Sequence, residues 1–248
     1  MTGMGGVLRT LALLGLAAAV IVGGRFLWNR RPWRPAVVVN GRILSVGELD
    51  LRARALLGDA RRSGNRLVAP DREEEAWGFC RRRAAKMWIV KEVLLAEALA
   101  RGYVASPADE KASLAQIAAR LKGRQLTPEQ FFREGPLSEE TKRRDFREGV
   151  LIDKLTAREV RDRITVSAKE VDARLADLRR AASARAKPGV SASSPPTRRQ
   201  ALNALRVERF RAGFRKFFED LYVKASVKCP AYPDLEALDG ISPRRKTE

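Results

Sequence analysis

The sequence predicts an all-α fold of about six helices with a small two-stranded β element. Charged residues make up 32 % of the 248 residues, above the usual quarter, and they mingle with Ala and Leu as in solvated amphipathic helices. Ser or Thr residues that suit helix N-caps recur ahead of the predicted helices. The β-branched runs and regular turns of a sandwich or a barrel are missing.

An uncharged and mostly apolar run occupies residues 10–24 and ends at Arg25. Its length matches the core of a signal peptide better than a full membrane span. If the Arg25 side chain extends towards the headgroups, residues 26–28 lengthen the run enough to cross a thinned bilayer, with Trp28 and Trp33 as interfacial anchors. Because no convincing small-x-small cleavage site is present, we predict an uncleaved signal-anchor or transmembrane segment over residues 1–34.

The chain is strongly basic, with a formal net charge of +19. Residues 1–34 contain five Arg and no acid, and residues 185–224 contain ten Lys or Arg against three acids. Such a surplus attracts nucleic acid, anionic lipid or acidic protein segments. Four of the first five Arg follow the apolar run, so the positive-inside rule favours a body that faces the cytoplasm.

Two β-rich pieces flank Asn40-Gly41 in the segment AVVVNGRIL at 36–44, which predicts a hairpin. A Ser followed three residues later by Glu, at Ser45 and Glu48, predicts the start of a helix. Cap and breaker signals of the same kind divide the rest of the chain. Helices are predicted at about 45–57, 71–101, 106–123, 138–164, 167–183 and 197–224, with a short helix at 127–134.

The composition of residues 184–196, ARAKPGVSASSPP, predicts a flexible linker. After it, the last helix carries an apolar stripe, and residues 226–229 predict a short strand that pairs with residues near 37–43. We therefore expect the last helix to pack back on the amino-terminal part and to close one core. The predicted boundaries are an anchor at 1–34, a helical domain at 35–183, a linker at 184–196, a closing helix and strand of the same domain at 197–230, and a loose tail at 231–248.

Residues that would carry catalysis or bind metal are scarce. The chain has no His, and it has no phosphate-binding loop, dinucleotide-binding motif or zinc-protease motif. Adjacent acids such as Glu139 and Glu140 open predicted helices, where capping explains them. The two cysteines, Cys80 and Cys229, are compatible with one disulfide or with two buried thiols. We predict that the protein is not an enzyme and that it needs no metal and no cofactor.

The aromatic residues are the candidates for a binding surface. Most of them are expected to form the core between the helices, and a minority to line a groove for extended or helical peptide segments. The predicted peptide-binding residues are Trp77, Trp88, Phe131, Phe132, Phe146, Phe210, Phe214 and Phe217.

Three stretches follow the pattern of a known family. They are AVVVNGRILSVGELDLRARALL at 36–57, SEETKRRDFREGVLIDKLTAREVRDRITVSAKEVDARLADL at 138–178, and ALNALRVERFRAGFRKFFEDLYVKASVKC at 201–229. Together they resemble the peptide-binding part of SurA- and PpiD-type periplasmic chaperones, and the second stretch is the most specific match. Between residues 58 and 137 the resemblance rests on the order of the helices.

In that family, a parvulin prolyl-isomerase domain commonly lies between the second and third stretches. Residues 184–196 are far too few for such a domain, and the active-site His residues are absent too. The resemblance therefore implies a chaperone-like fold without isomerase activity. It also implies an apolar cradle that binds unfolded or nascent exported polypeptides, including outer-membrane ones, without nucleotide.

The resemblance implies a single-pass protein of the bacterial inner membrane with its body in the periplasm, whereas the charge pattern around the apolar run favours a cytoplasmic body. Two alternatives are a basic protein that binds nucleic acid or an anionic surface, and a structural membrane tether for a single protein partner. Nucleic acid is the less expected partner because no helix-turn-helix, zinc or aromatic-sheet signature is present. Anionic lipid is a further expected contact of the basic surface.

Overall fold

The computed structural model describes residues 32–63, 72–124, 126–185 and 195–236. This part of the chain contains seven α-helices and one three-stranded sheet. The helices are α1 (Val46–Arg62), α2 (Glu73–Ala100), α3 (Pro107–Leu121), α4 (Pro128–Arg133), α5 (Glu139–Glu159), α6 (Ala168–Arg185) and α7 (Arg198–Tyr222), and the strands are β1 (Pro35–Val39), β2 (Arg42–Ser45) and β3 (Val227–Lys228). The mostly helical class predicted from the sequence is confirmed, but the β element has three strands and not two.

The described residues fall into two compact units. The first unit contains residues 32–63, 72–89, 134–137 and 226–236, and the second contains residues 90–124, 126–133, 138–185 and 195–225. The final helix α7 therefore belongs to the second unit, and the strand β3 that follows it belongs to the first.

The β1–β2 hairpin forms around Asn40 and Gly41, as predicted. Both residues have a positive φ, 49° and 83°, which the primed two-residue turns require and which Asn and Gly adopt most readily. Antiparallel pairing places Val37 opposite Leu44, and both side chains are fully buried. The turn residues thus set a register that directs apolar side chains into the core.

The third strand comes from the other end of the described chain. β3 pairs antiparallel with the second edge of β1, and Val38 lies opposite Lys228. The backbone N–H of Asn40 donates to the Ser226 carbonyl, and the backbone N–H of Ser226 donates to the side-chain oxygen of Asn40, both at 2.9 Å. Because the hairpin uses only one edge of β1, the predicted closing strand extends the sheet to three strands instead of completing a pair.

Apolar side chains from the sheet, α1 and the first part of α2 form the core of the first unit. Leu49, Ala53 and Leu57 recur at helical spacing on the buried face of α1. Arg81 of α2 forms an ion pair with Asp50 of α1 at 2.7 Å, which links the two helices. The other buried residues of this core are Ala36, Val37, Val39, Leu44, Ala76, Cys80, Ala84, Ala85, Trp88, Ile89, Cys229 and Leu235.

Side-chain caps stand where the sequence predicted them, at the starts of α1, α3, α5 and α7. At the start of α3, Ser106 and Asp109 form a reciprocal capping box. The helix ends differ from the prediction, because α1 continues to Arg62 and α5 stops at Glu159. A 3₁₀ turn at Arg161–Arg163 follows α5 in place of the last predicted helical residues.

Ion pairs between helices distant in sequence hold the second unit together. Lys91 of α2 pairs with Asp145 of α5 at 2.6 Å and also with Glu148. Lys154 of α5 donates to Asp109 at 2.8 Å, and this bond, with the capping bonds of α3, holds the pKa of Asp109 well below its ordinary value. The buried apolar residues of this unit are Val93, Leu94, Leu95, Ala98, Leu121, Phe132, Val150, Leu155, Val160, Val171, Ala201, Phe218, Leu221 and Tyr222.

Residues 1–31, 186–194 and 237–248 lie outside the described residues, and with them nearly all of the predicted anchor and most of the predicted linker and tail. None of the described helices has the length and the apolar character that a membrane span requires. The first residues of the predicted tail form a 3₁₀ turn at Pro233–Leu235, and the Leu235 side chain is fully buried in the first unit.

Candidate binding groove

A groove of about 640 Å³ lies beside the middle of α7, in the second unit. One wall is the 3₁₀ turn that follows α5, and the other wall is α7 itself. The lining residues are Arg161, Asp162, Ile164, Arg206, Val207, Phe210 and Arg211. The groove thus combines three apolar side chains with three guanidinium groups and one carboxylate.

The turn after α5 places Ile164 in the groove. The Ile164 N–H donates to the Arg161 carbonyl at 3.2 Å and closes the 3₁₀ turn. Ile164 then has an extended backbone, with φ −81° and ψ 112°, so the chain leaves the helical path at this residue. This wall of the groove forms because α5 ends at Glu159, earlier than predicted from the sequence.

A glycine allows α7 to approach the end of α5 closely. A Cβ atom at Gly213 would lie 3.2 Å from Cγ1 of Val160, which is closer than an ordinary van der Waals contact. Gly213 and Val160 also line a smaller neighbouring groove of about 340 Å³, which shares Ile164 with the first. The closeness of the two walls therefore depends on the missing side chain of Gly213.

Ion pairs link α6 to α7. Arg209 pairs with Glu170, and Arg198 approaches Asp172 to 3.3 Å. The Ser167 N–H and hydroxyl each donate to Glu170 at 2.8 Å, and these two bonds, ahead of Arg209, hold the pKa of Glu170 below its ordinary value. Glu170 is therefore ionised at neutral pH and keeps its link to α7.

Four aromatic rings follow one face of α7 at intervals of four residues, from Phe210 through Phe214 and Phe218 to Tyr222. The centroids of successive rings lie 5.9, 6.3 and 5.7 Å apart. Phe218 and Tyr222 are buried, whereas Phe210 is half-buried where it lines the groove. This aromatic ladder anchors α7 at its carboxyl end and presents its first ring in the groove.

A second groove, of about 650 Å³, lies on the other side of Val207 and Arg211, which line both grooves. Val207 lies in the middle of α7 and is 48 % exposed. The second groove adds Arg174, Asn203, Ala204, Glu208, Ala212 and Arg215 to the lining. Val207 is thus the apolar residue that an occupant of either groove would touch.

Three of the predicted peptide-binding residues lie on α7. Phe210 lines the groove, and Phe214 is the next ring of the ladder. Phe217 lies outside the ladder, with the Arg101 guanidinium 5.9 Å from its ring centroid. Among these three, only Phe210 has a direct place in the groove.

Phe131, Phe132 and Phe146 form another cluster in the second unit. The rings of Phe132 and its two neighbours meet edge to face, with centroids 5.6 and 5.7 Å apart. Phe132 is buried, whereas Phe131 is 39 % exposed and has the Lys142 ammonium 5.6 Å from its ring centroid. Within the part of the chain that the structure describes, no ring contact joins this cluster to the ladder of α7.

Trp77 and Trp88, also predicted as peptide-binding residues, lie on α2 in the first unit. Trp88 is buried and Trp77 is half-buried. The burial of Trp88, like that of Phe132 in the second unit, assigns the ring to the core.

Cys80 and Cys229 are buried free thiols in the first unit, so of the two alternatives left by the sequence the structure has the unbridged one. Burial raises the pKa of both thiols, and that of Cys229 reaches about 11. Since the thiolate is the reactive form, neither side chain is suited to act as a nucleophile at neutral pH.

The sequence reasoning missed Ile164, Val207 and the three arginines of the groove. Val207 precedes Phe210 by three residues and Phe214 by seven, so it lies at helical spacing from the apolar stripe of α7, although Arg206 and Glu208 flank it in the sequence. This spacing was the available signal. The position of Ile164 carried no such signal, because it depends on where α5 ends.

No protein-family model matches the chain, and the search of curated proteins found no match. Among the described residues, no group of Cys, Asp and Glu side chains is arranged to hold a metal ion.

Proposed function

We propose that the protein is a membrane-anchored, extracytoplasmic chaperone-like protein that holds segments of other polypeptides in the groove beside α7, without isomerase activity. The observation that carries the proposal is an apolar surface, formed by Ile164, Val207 and Phe210, which stays accessible between two basic walls. Concave apolar surface with a few polar groups is typical of binding sites. The resemblance of three stretches of the sequence to SurA- and PpiD-type chaperones supports the same assignment.

The size of the apolar surface predicts weak and broad binding. Full burial of one such side chain contributes at most about 1.5–3 kcal/mol. The loss of translational and rotational freedom on association removes a large part of that gain. We expect dissociation constants on the order of micromolar or weaker, which suit repeated capture and release of unfolded chains.

The test measures the aggregation of a chemically unfolded protein in the presence of the full chain, reconstituted in phosphatidylcholine nanodiscs and without nucleotide. Empty nanodiscs give the baseline. Suppression of aggregation is expected, and it should persist at moderate salt because apolar contacts are not screened. Absence of suppression, or suppression that disappears at moderate salt, would contradict the proposed function.

Two matched substitutions locate the holding site. Val207→Ser places a hydroxyl on the ridge between the two grooves and should weaken suppression roughly two- to fivefold through lost apolar contact. Val223→Ser makes the same change at a 79 % exposed valine that follows α7 and lines neither groove, so suppression should be retained. An equal effect of the two substitutions would show that the polypeptide is not held in the groove.

Binding of nucleic acid or another anionic surface is the second candidate function. The net charge of +19 and the three arginines of the groove favour it. This function predicts that the logarithm of the binding constant for DNA falls linearly with the logarithm of the salt concentration. The slope is about −0.9 for each neutralised phosphate. A steep slope, found together with no suppression of aggregation, would select this function instead.

A further inference from the structure

We infer that the groove selects polypeptide segments in which acidic residues flank apolar ones, so that acidic amphipathic chains are its preferred clients. This selectivity rests on the proposed holding function and adds to it the chemical class of the client. The distribution of charge around the apolar surface supports it.

Cations reach the groove from both of its walls. Arg161 belongs to the 3₁₀ turn after α5, whereas Arg206 and Arg211 belong to α7. The apolar residues lie between these walls, with Val207 one helical turn from Arg211 and Phe210 one helical turn from Arg206. A segment bound over the apolar surface would therefore have guanidinium groups on both sides.

Three other arginines on α6 and α7 form ion pairs between the two helices. Arg209 pairs with Glu170, and Arg174 approaches Glu208 to 3.6 Å. Arg198 pairs with Asp172. These pairs join the two helices, so their charges are already compensated inside the second unit.

The three arginines of the groove differ from those pairs. Arg161, Arg206 and Arg211 are exposed and form no ion pair with any residue in the described part of the chain. Asp162 is the only carboxylate among the lining residues, so the groove has an excess of positive charge. Like charges gathered around an apolar surface repel one another until an acidic partner compensates them.

Guanidinium groups match such a partner better than ammonium groups would. They bind a carboxylate through two parallel hydrogen bonds, and their weak hydration lets them lie beside apolar surface. The apolar side chains of Ile164 and Val207 provide contact for aliphatic and aromatic side chains but no partner for phosphate. Apolar and cationic groups together therefore favour an acidic polypeptide over a nucleic acid.

The experiment compares two fluorescently labelled peptides that have identical apolar residues and differ only in carrying Glu or Gln at the flanking positions. Binding to the full chain in phosphatidylcholine nanodiscs is followed by fluorescence anisotropy at low and moderate salt. The Glu peptide should bind roughly five- to tenfold more tightly than the Gln peptide at low salt, and the difference should narrow as salt increases.

Two double substitutions that remove the same charge locate the selectivity. Arg206→Gln with Arg211→Gln removes two of the three arginines of the groove and should remove most of the preference for the Glu peptide, while the affinity for the Gln peptide stays nearly unchanged. Arg179→Gln with Arg199→Gln removes two exposed arginines of α6 and α7 that line neither groove, so the preference should be retained. Equal loss in both variants would show that net charge, and not the groove, attracts the acidic peptide.

The remaining outcomes separate the selectivity from the function itself. Equal binding of the two peptides, with aggregation still suppressed, would overturn the selectivity and leave the holding function intact. Binding of neither peptide, with no suppression, would overturn both. Displacement of the Glu peptide by single-stranded DNA, and equal weakening of DNA binding by the Arg206 and Arg211 substitutions, would show that the groove is an anion site without preference for polypeptide.

Discussion

The two units use their apolar residues differently. Most of the largest fully buried side chains, among them Leu44, Leu49 and Ile89, belong to the first unit, which is the smaller of the two. In the second unit, Val207 and Phe210 remain accessible at the groove beside α7. The first unit therefore contains most of the large side chains that are fully buried, although Ile43, Phe79 and Met87 stay exposed there, whereas the second has accessible apolar side chains that line a groove. Substitutions should separate stability from binding along the same division.

The largest expected effect is the loss of a core side chain in the first unit. Leu49→Ala leaves a cavity where a fully buried leucine packs, and we expect the free energy of unfolding to fall by about 2–5 kcal/mol. Leu99→Ala, at a leucine of α2 that is 55 % exposed in the second unit, is the control and should change it by less than about 0.5 kcal/mol. Urea denaturation followed by circular dichroism measures both. Similar losses would contradict the contrast in core closure.

A smaller effect on the free energy of unfolding is expected when a glycine is replaced by alanine. The sign of the effect should differ between a glycine of the first unit and a glycine of the second. Gly41→Ala puts a Cβ on a residue with φ of 83° in the hairpin and should cost about 1–2 kcal/mol of unfolding free energy. Gly149→Ala lies inside α5, where a Cβ would meet nothing within 4 Å, and should add about 0.5–1 kcal/mol. Thermal denaturation distinguishes the two signs. A gain at Gly41 would mean that the turn tolerates another backbone conformation.

The smallest expected effect concerns pH and the first unit alone. Burial, and secondarily the Glu236 carboxylate, raises the pKa of Cys229 from 9.0 to about 11 in the folded protein. The fold thus favours the neutral thiol, and the stability that this provides is complete below pH 9 and is lost as the pH rises through 11. Between pH 9 and pH 11, the melting temperature of the unsubstituted protein should fall a few degrees further than that of Cys229→Ala. Parallel melting curves for the two proteins would mean that the thiol titrates normally.

Much of the fold could be predicted because its signals are local. The Asn40-Gly41 turn and the capping box at Ser106 each depend on residues a few positions apart, and both formed as predicted. Helix ends were less predictable, since α1 continues to Arg62 where no strong breaker stops it. The third strand was expected, but the sequence does not state which edge of β1 it would join.

Little of the groove could be predicted because it depends on contacts between distant residues. The approach of Gly213 to Val160 joins α7 to the end of α5, and neither residue signals its partner. Aromatic residues were predicted as binding residues by type alone, and type does not distinguish buried Phe132 from half-buried Phe210. The excess of basic residues was visible in the composition. The pairing that leaves Arg206 and Arg211 without an acidic partner in the described part of the chain is a property of the folded helices.

The pairing of β3 with β1 has a consequence for how the protein is made. Asn40 and Ser226, which join the two strands, are 186 residues apart, so this contact forms by a slow, long-range closure. A chain synthesised from its amino terminus presents β1 with one open edge until residue 228 has emerged, and an open edge invites wrong pairing with other strands. By contrast, the hydrogen bonds within α3, α4 and the turn after α5 join residues only a few positions apart. They can form as soon as each segment has been synthesised. Among the described strands and helices, the sheet thus contains the first to be translated and also the last.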